Sequence, residues 1–380
     1  MKIAIDARFF GPEGTGIGRY VENLLNELVK IDTENEYVVL LRKNNYPLFN
    51  PESSNFKKVL TDAKWYSVKE QVVVPAVLTR EKPDLVHFPH LNVPLLWGGK
   101  FVVTVHDTTT NEFGGSAATT RMKPIYFVKS AGYKIVANQA VKRASKILVP
   151  SEFIKKKVAA SFGVKPSKIE VTYEAADQIF LSLGEKKVAE GQKKKVLESF
   201  GVRDPYLLYV GNLFPYKNIQ VIFEALRLLE PKTKLVIVGA RNRFTEKVQE
   251  EVKDLGLEDR VKFVGFVPNE ELVILFQEAL AFVFPSLSEG FGLPGLEAMA
   301  CLCPVIAAKI SSLPEVYATA AVYFDPHKPP ELAKKVKEVA ENKKLREGLT
   351  KAGQERVRQF SWRKMAEQTL AVYNQVGKKS

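Results

Sequence analysis

Three short segments combine residues that could hold an anion with residues that could hold hydroxyl groups. The richest is Ser286-Leu287-Ser288-Glu289-Gly290-Phe291-Gly292-Leu293-Pro294-Gly295-Leu296-Glu297. It follows a strand-like run ending in Phe284-Pro285, and the pattern after it is helical, with Pro294 in the first turn where proline is favoured. A glycine-rich turn entering a helix offers converging backbone N–H groups, from Gly290 to Leu293, to an anion. Glu289 and Glu297 bracket that turn. Carboxylates repel phosphate, so their natural partners are the hydroxyls of a ribose and of a sugar. A phosphate nest between two carboxylates is what a nucleotide sugar needs.

The second segment is Gly211-Asn212-Leu213-Phe214-Pro215-Tyr216-Lys217-Asn218, which again follows a strand and opens a helix. Here the Lys217 ammonium and a helix N-terminus could face one anion. The third is Gly11-Pro12-Glu13-Gly14-Thr15-Gly16-Ile17-Gly18-Arg19, between the first strand and the first helix. Its glycines allow close backbone approach to a phosphate. A dinucleotide-binding reading competes, but it expects an acidic residue at the end of the second strand. That strand ends in Arg42-Lys43.

These loops need strands to carry them. Strand patterns occur at residues 2–7, 37–41, 85–88, 101–105, 146–149 and 169–171, and again at 206–210, 234–238, 261–263, 281–284, 304–307 and 321–324. Helical periodicity lies between them, at 18–30, 68–80, 122–143 and 152–162, then at 219–229, 244–255, 269–278, 292–300, 329–342 and 343–359. Alternation of this kind means parallel sheets covered by helices on both faces. It happens twice, so the expected class is α/β with two doubly wound, Rossmann-like domains facing across a cleft. The boundaries expected are 1–183, a Lys- and Glu-rich linker at 184–200, 201–360, and a last helix at 361–380.

Composition narrows the partners. The chain has 380 residues and a net charge of +13, spread over both halves. Residues 121–157 are more biased, with ten basic residues against Glu152. In Met122–Lys134 lysines mix with aromatics, a pattern that suits contact with an anionic membrane surface. No run approaches the roughly 18 apolar residues of a membrane helix. The opening residues enter a strand pattern at once, so no signal peptide is expected. Two cysteines, Cys301 and Cys303, make no disulfide framework. The expected location is cytoplasmic, peripheral on the inner face of the membrane. A nucleic-acid partner rests on charge alone, because no aromatic stacking motif is interleaved with the basic residues. His87-Phe88-Pro89-His90 lacks a third ligand nearby, so no metal is expected there; His90 could line an acceptor site. Asp107 could orient His106 or cap a loop.

Glu289 and Glu297, with seven residues between them, resemble the two-glutamate motif of the retaining glycosyltransferases of family 4, the glycosyl transferases group 1, which have the GT-B fold. The likeness extends through Thr15-Gly16-Ile17-Gly18-Arg19-Tyr20, Val105-His106-Asp107, Pro150-Ser151-Glu152-Phe153, the Lys217 turn, Phe263-Val264-Gly265-Phe266-Val267, Glu297-Ala298-Met299-Ala300 and Phe360-Ser361-Trp362. It implies transfer of a hexosyl unit, mannosyl favoured, from a nucleotide-diphosphate sugar to a glycan or lipid-linked acceptor, with no cofactor and no metal. GDP-mannose and UDP-hexoses lead as donors, with dTDP-rhamnose behind. Glu297 would hold the donor ribose and Glu289 the donor sugar. Gly290 and the backbone of Phe291, Gly292 and Leu293 would take diphosphate or sugar oxygens. Lys217 would neutralise the diphosphate, which Gly16 would approach from the other domain. Phe266 and Val267 would lie beside the nucleobase, and His106 would line the acceptor side near the reacting carbon. The last helix would return to the first domain.

Two places depart from the family pattern. Asn212 stands where many members have Arg, and Tyr216 where a second basic residue is common; Arg241 is the candidate to replace that charge. Glu174-Ala175-Ala176-Asp177 stands where many members have Asn-Gly-Val-Asp. A nucleotide-sugar epimerase or a phosphorylase on the same scaffold is the alternative reading, and a nucleic-acid-binding protein the distant one.

Overall fold

The computed structural model describes residues 1–108, 123–186, 188–202, 205–239 and 244–377, the side chains of 123–130 excepted. Two compact units make up the chain: Met1–Glu174 with Ser361–Ser380, and Ala175–Phe360.

The first unit holds a seven-stranded sheet in the order β3-β2-β1-β4-β5-β6-β7. Its strands are β1 (Lys2–Asp6), β2 (Glu36–Leu41), β3 (Phe56–Leu60), β4 (Leu85–Phe88), β5 (Phe101–Thr104), β6 (Lys146–Val149) and β7 (Ile169–Val171). Every pair is parallel. Parallel strands are buried on both faces, and so β4 and β5 are apolar almost throughout. β3 departs from the sequence expectation, which has no strand there. It reads Phe-Lys-Lys-Val-Leu and lies at the sheet edge, where lysines discourage pairing with a further chain. The helix Thr15–Ile31 buries Gly18, Val21, Leu25 and Leu28, an i, i+3, i+7, i+10 stripe. The helix Trp362–Gly377 packs on it and belongs to this unit. Its Tyr373 is fully buried, with the hydroxyl 2.5 Å from His87 Nδ1.

The second unit holds six parallel strands in the order β10-β9-β8-β11-β12-β13. These are β8 (Tyr206–Val210), β9 (Lys234–Val238), β10 (Val261–Gly265), β11 (Ala281–Phe284), β12 (Val305–Ala308) and β13 (Ala321–Phe324). The unit begins earlier than the sequence boundary suggests. Residues 184–200 are not a bare linker: they include the helix Glu190–Ser199, and a further unexpected helix, Gln178–Leu183, precedes them. Both are tied to the helix Asn269–Glu278. Phe180, fully buried, meets Phe276 edge-on at 6.1 Å. Gln277 Nε2 donates to the Gly184 carbonyl at 2.8 Å, and Lys193 pairs with Glu278 at 2.9 Å. The lysines that suggest a solvated linker form the outer face of a packed helix.

Each sheet reverses its order once, between β1 and β4 and between β8 and β11. Loops leaving the carboxyl ends of neighbouring strands on either side of such a switch point diverge, and the crevice they leave is where ligands bind. All three chemistry-bearing segments are loops of this kind.

Candidate functional site

In the second unit the loops after β8 and β11 meet. Pro215–Lys217 forms one turn of 3-10 helix, and Asn218 follows it in the left-handed region at φ 54°. The Asn218 side chain donates to the Pro285 and Pro326 carbonyls at 3.3 and 2.9 Å. The Leu287 N–H donates to the Tyr216 carbonyl at 2.8 Å. These bonds place the Lys217 ammonium 2.6 Å from Glu289 Oε1, with the two side chains only 15% and 12% exposed. The ammonium also lies 5.2 Å from the Tyr216 ring centroid. An ammonium has three donors, so Lys217 can hold Glu289 and still bond a phosphate oxygen.

Glu289 is pinned through its backbone as well. Its N–H donates to Ser311 Oγ at 3.1 Å, and its carbonyl accepts from Ser312 Oγ at 2.9 Å. The helix Leu293–Ala300 then starts with Gly292 as its N-cap at φ 98°. That conformation strongly favours glycine. The Gly292 carbonyl accepts from the Tyr317 hydroxyl at 2.6 Å, so the buried tyrosine fixes the turn from below. Glu297 is 3% exposed on the same helix. Gly295 faces the Tyr317 ring so closely that an added Cβ would lie 2.3 Å from its Cζ and Oη. Alanine normally favours a helix over glycine. Here the clash wins, because the ring is fully buried and hydrogen-bonded. Gly295→Ala is expected to destabilise the unit by about 2–3 kcal/mol, a fall of several degrees in a thermal melt; an unchanged melt would contradict this account of the turn.

Asn212 turns its oxygens into its own loop: the carbonyl accepts from Tyr209 at 2.6 Å and Oδ1 from the Phe214 N–H at 3.4 Å. A cavity of about 110 Å³ opens beside it, walled by Gly211, Leu213, Gly239, Val264 and Gly265. Phe266 stands 76% exposed and Val267 is buried, so the cavity is walled just ahead of the pair expected beside the nucleobase. Phe291 is buried edge-on against Phe360 at 5.3 Å, and Leu293 is 9% exposed, which leaves their backbone as the part a ligand could use. Arg241 lies outside the described residues.

In the first unit the loop after β1 is braced by Asn45, whose Nδ2 donates to the Ala7, Arg8 and Phe10 carbonyls at 3.1–3.2 Å. Two of its glycines are demanded by the fold: a Cβ on Gly14 would lie 2.0 Å from the Phe9 carbonyl oxygen, and one on Gly18 2.1 Å from that of Gly11. Gly16 differs. It is exposed, with nothing within 4 Å of an added Cβ. Thr15 before it is held at φ 51°, an outlier for a β-branched residue.

His106, at the end of β5, is held at both ring nitrogens. Nδ1 lies 3.1 Å from Glu174 Oε1 and Nε2 3.0 Å from the Pro89 carbonyl oxygen. Tyr20 meets the ring edge-on at 4.7 Å. Glu174 is therefore the partner that orients His106, while Asp177, from the same unusual tetrapeptide, caps the helix Gln178–Leu183. His87 bonds Thr104 Oγ1 at 2.8 Å as well as Tyr373, and burial pushes it down to about 3. It is a neutral core residue. His90 keeps part of its surface open but sits deep enough that burial, with the His106 charge second, lowers it to about 4.

Sequence reasoning missed a buried charge network below this crevice. Arg8, fully buried, bonds Asp6 at 2.7 Å, Glu70 at 3.1 Å and the Ala63 carbonyl at 3.0 Å, and Asn92 donates to Glu70 at 2.5 Å. Burial opposes the Arg8 charge, but the two carboxylates outweigh it. Burial raises Glu70 above the ordinary carboxylate range, with Arg8 offsetting part of the shift. The charged residues in Asp6-Ala7-Arg8 after a strand were the available signal. Among the described residues no group of three or more His, Cys, Asp or Glu side chains is placed to hold a metal ion.

Two family models match the chain: Glycosyltransferase Family 4 over residues 14–178, and Glycosyl transferases group 1 over residues 192–356. The O-antigen chain mannosyltransferase RfbU of Salmonella typhimurium is 28% identical over 330 residues, 83% of this chain and 84% of its own length. The O-antigen chain mannosyltransferase B of Escherichia coli is 30% identical over 240 residues, 62% of each chain. Anabaena Alr3699/HepE, solved in complex with UDP and glucose, aligns with a TM-score of 0.76 at 19% identity, over 99% of this chain and 100% of its own. That likeness speaks for the fold alone, which is GT-B. With one family model on each unit, together spanning most of the chain, and O-antigen mannosyltransferases among its relatives, the chain belongs to the family 4, group 1 glycosyltransferases and is a hexosyl-transferring enzyme.

Proposed function

We propose that the enzyme moves a mannosyl unit from a nucleotide-diphosphate sugar to a glycan or lipid-linked acceptor, with retention of anomeric configuration. The observation that carries the donor site is the Lys217–Glu289 pair at 2.6 Å, set beside the start of the helix that bears Glu297. As the glycosidic bond breaks, charge grows on the departing diphosphate. Lys217 and the N–H groups at the Gly292 turn stabilise it from fixed positions, so little reorganisation is needed at the moment of reaction. Those protein groups supply the positive charge in place of a metal. Glu297 holds the ribose hydroxyls, Glu289 the sugar, and the base packs beside Val264 and Gly265, towards Phe266 and Val267. Asn212 shapes that loop. His106, oriented by Glu174, lines the acceptor side, and Gly16 leaves its loop open to phosphate. Mannosyl is favoured by the names of the two O-antigen relatives. Nothing in those names points to an epimerase or a phosphorylase.

A thermal melt against GDP, UDP, dTDP and ADP tests the donor assignment. A ligand at 100 times its dissociation constant adds about 2.7 kcal/mol, or several degrees for a unit of this size. GDP is expected to give the largest shift; a flat response to all four would overturn the reading.

No helix among the described residues is long and apolar enough to cross a membrane. Peripheral contact has support of another kind. Val68 and Val72, one turn apart on the helix Val68–Glu81, are 86% and 64% exposed, and Leu96 and Ile135 are 76% and 58% exposed. The Leu95 N–H donates to Gln71 Oε1 at 2.9 Å, and Arg143 donates to the Leu95 carbonyl at 2.9 Å, which ties the loop bearing Leu96 to both the helix Val68–Glu81 and the helix Lys123–Arg143; on the latter Lys134, Lys142 and Arg143 are exposed. The expected partner is an anionic bilayer. Cosedimentation with phosphatidylglycerol vesicles at low salt is expected to retain the protein and to weaken several-fold in Leu96→Ser with Ile135→Ser. Wild-type protein left in the supernatant would contradict it. Residues 121–122 and the side chains of 123–130 lie outside the described residues.

A further inference from the structure

The loop that joins β3 to the helix Val68–Glu81 carries a second constellation, which the donor chemistry does not use. Tyr66 is 50% exposed, yet its backbone is held at φ 58°. The left-handed region is a genuine outlier for a bulky residue, and such strain persists only where the surroundings over-determine it. The surroundings do. On one side the buried Arg8 binds the Ala63 carbonyl and Glu70; on the other the Ser67 hydroxyl donates to the Lys64 carbonyl at 2.6 Å and accepts from the Glu70 N–H at 3.4 Å. Rings continue the arrangement. Trp65 stacks on Phe9 at 4.6 Å, Phe9 meets His90 at 5.6 Å, and His90 meets Tyr66 edge-on at 5.6 Å. The Tyr66 hydroxyl lies 2.8 Å from His90 Nδ1. Asp107 is an exposed residue that directly follows His106, whose Nε2 lies 3.0 Å from the carbonyl oxygen of Pro89, the residue before His90; the Asp107 charge acts on both Tyr66 and His90.

Tyr66 is half exposed even though its ring also meets Tyr133 at 6.3 Å, so burial alone does not explain why the chain tolerates strain to hold it. An aromatic face open to solvent, rimmed by a hydroxyl, an imidazole and a carboxylate, has the chemistry of a pyranose site. The ring covers the C–H face of the sugar and the polar rim takes its hydroxyls.

We propose that Tyr66, with His90 and Asp107 at its rim, forms the subsite that binds a sugar ring of the acceptor beside His106. The inference rests on the reading of this enzyme as a glycosyltransferase and adds that its acceptor presents a pyranose, whether free or lipid-linked. Tyr66 is a specificity-determining residue in this account. Neutral His90 can take either donor or acceptor role towards a hydroxyl.

The test is saturation-transfer NMR with the full chain and methyl α-mannopyranoside or methyl α-glucopyranoside at millimolar concentration. Ring C–H protons of at least one glycoside are expected to be saturated by the wild type. In Tyr66→Gly, which relieves the φ 58° strain, the effect falls at least about fivefold, while the melting point stays close to that of the wild type. Tyr66→Phe keeps the ring and most of the signal. Unchanged saturation in Tyr66→Gly overturns the proposal, as does saturation of uridine or guanosine in place of both glycosides, or no saturation of either glycoside by a folded wild type. The melt against nucleoside diphosphates is run on the same variants. A lost nucleotide shift in the wild type indicts the donor reading, whereas a retained shift with unaltered glycoside signals indicts Tyr66 alone.

Discussion

Lys217→Ala is expected to lower turnover by about 10²-fold or more, the usual cost of removing one fixed group that faces developing charge. The residue brings its ammonium to 2.6 Å from Glu289, at the start of the glycine turn. Its loss acts twice. In the proposed donor site the leaving diphosphate would lose its cation, and the mostly buried Glu289 would lose its partner. Lys217→Arg separates the two effects, because it restores charge at a different reach and in a fixed fork. A double variant with Glu289→Gln is expected to fall short of the sum of the single effects, since the two side chains share one contact. Steady-state kinetics read all of this, and near-normal turnover in Lys217→Ala would remove the lysine from the site.

The second large effect is expected from Glu297→Ala. The side chain is 3% exposed on the helix Leu293–Ala300, whose start is fixed by Gly292 and Tyr317. A buried carboxylate that accepts from two ribose hydroxyls contributes charge-assisted hydrogen bonds of about 1.5–3 kcal/mol. Donor affinity is therefore expected to fall about 10- to 100-fold. Because the ribose does not react, the loss should appear mainly in the KM for the donor. Turnover at saturating donor suffers to the extent that ribose binding positions the diphosphate. Glu297→Gln keeps the shape and one acceptor oxygen and should fall between. Titration with nucleoside diphosphate tells the two roles apart: an unchanged dissociation constant in Glu297→Ala would mean that the carboxylate serves the helix and not the ligand.

The alternation of strands and helices was legible because parallel strands are buried on both faces and read as apolar runs. β3 escaped because Lys57 and Lys58 break that run at an edge. The helix Glu190–Ser199 escaped because no residue of it is fully buried. The glycine turns and the carboxylates on either side of them could be read from spacing, since chemistry of that kind needs neighbours in sequence. Their supports could not. Ser311, Ser312 and Tyr317 hold Glu289 and Gly292 across 22 to 25 residues, and Glu174 reaches His106 across 68. The left-handed backbone of Tyr66 leaves no mark in the order of residues at all. What the spacing of a loop shows is its chemistry; what holds the loop is long-range and appears only when the strands are placed side by side.

The most direct measurement is transfer of radiolabelled hexose from GDP-mannose, UDP-glucose and dTDP-rhamnose into a glycan and lipid extract, by the wild type, Lys217→Ala and Glu297→Ala. The account predicts that the wild type incorporates label from one donor, GDP-mannose first, as a glycoside of retained configuration, and that both variants fall at least about tenfold. Label recovered only as free or phosphorylated sugar, or equal incorporation by all three proteins, would contradict it.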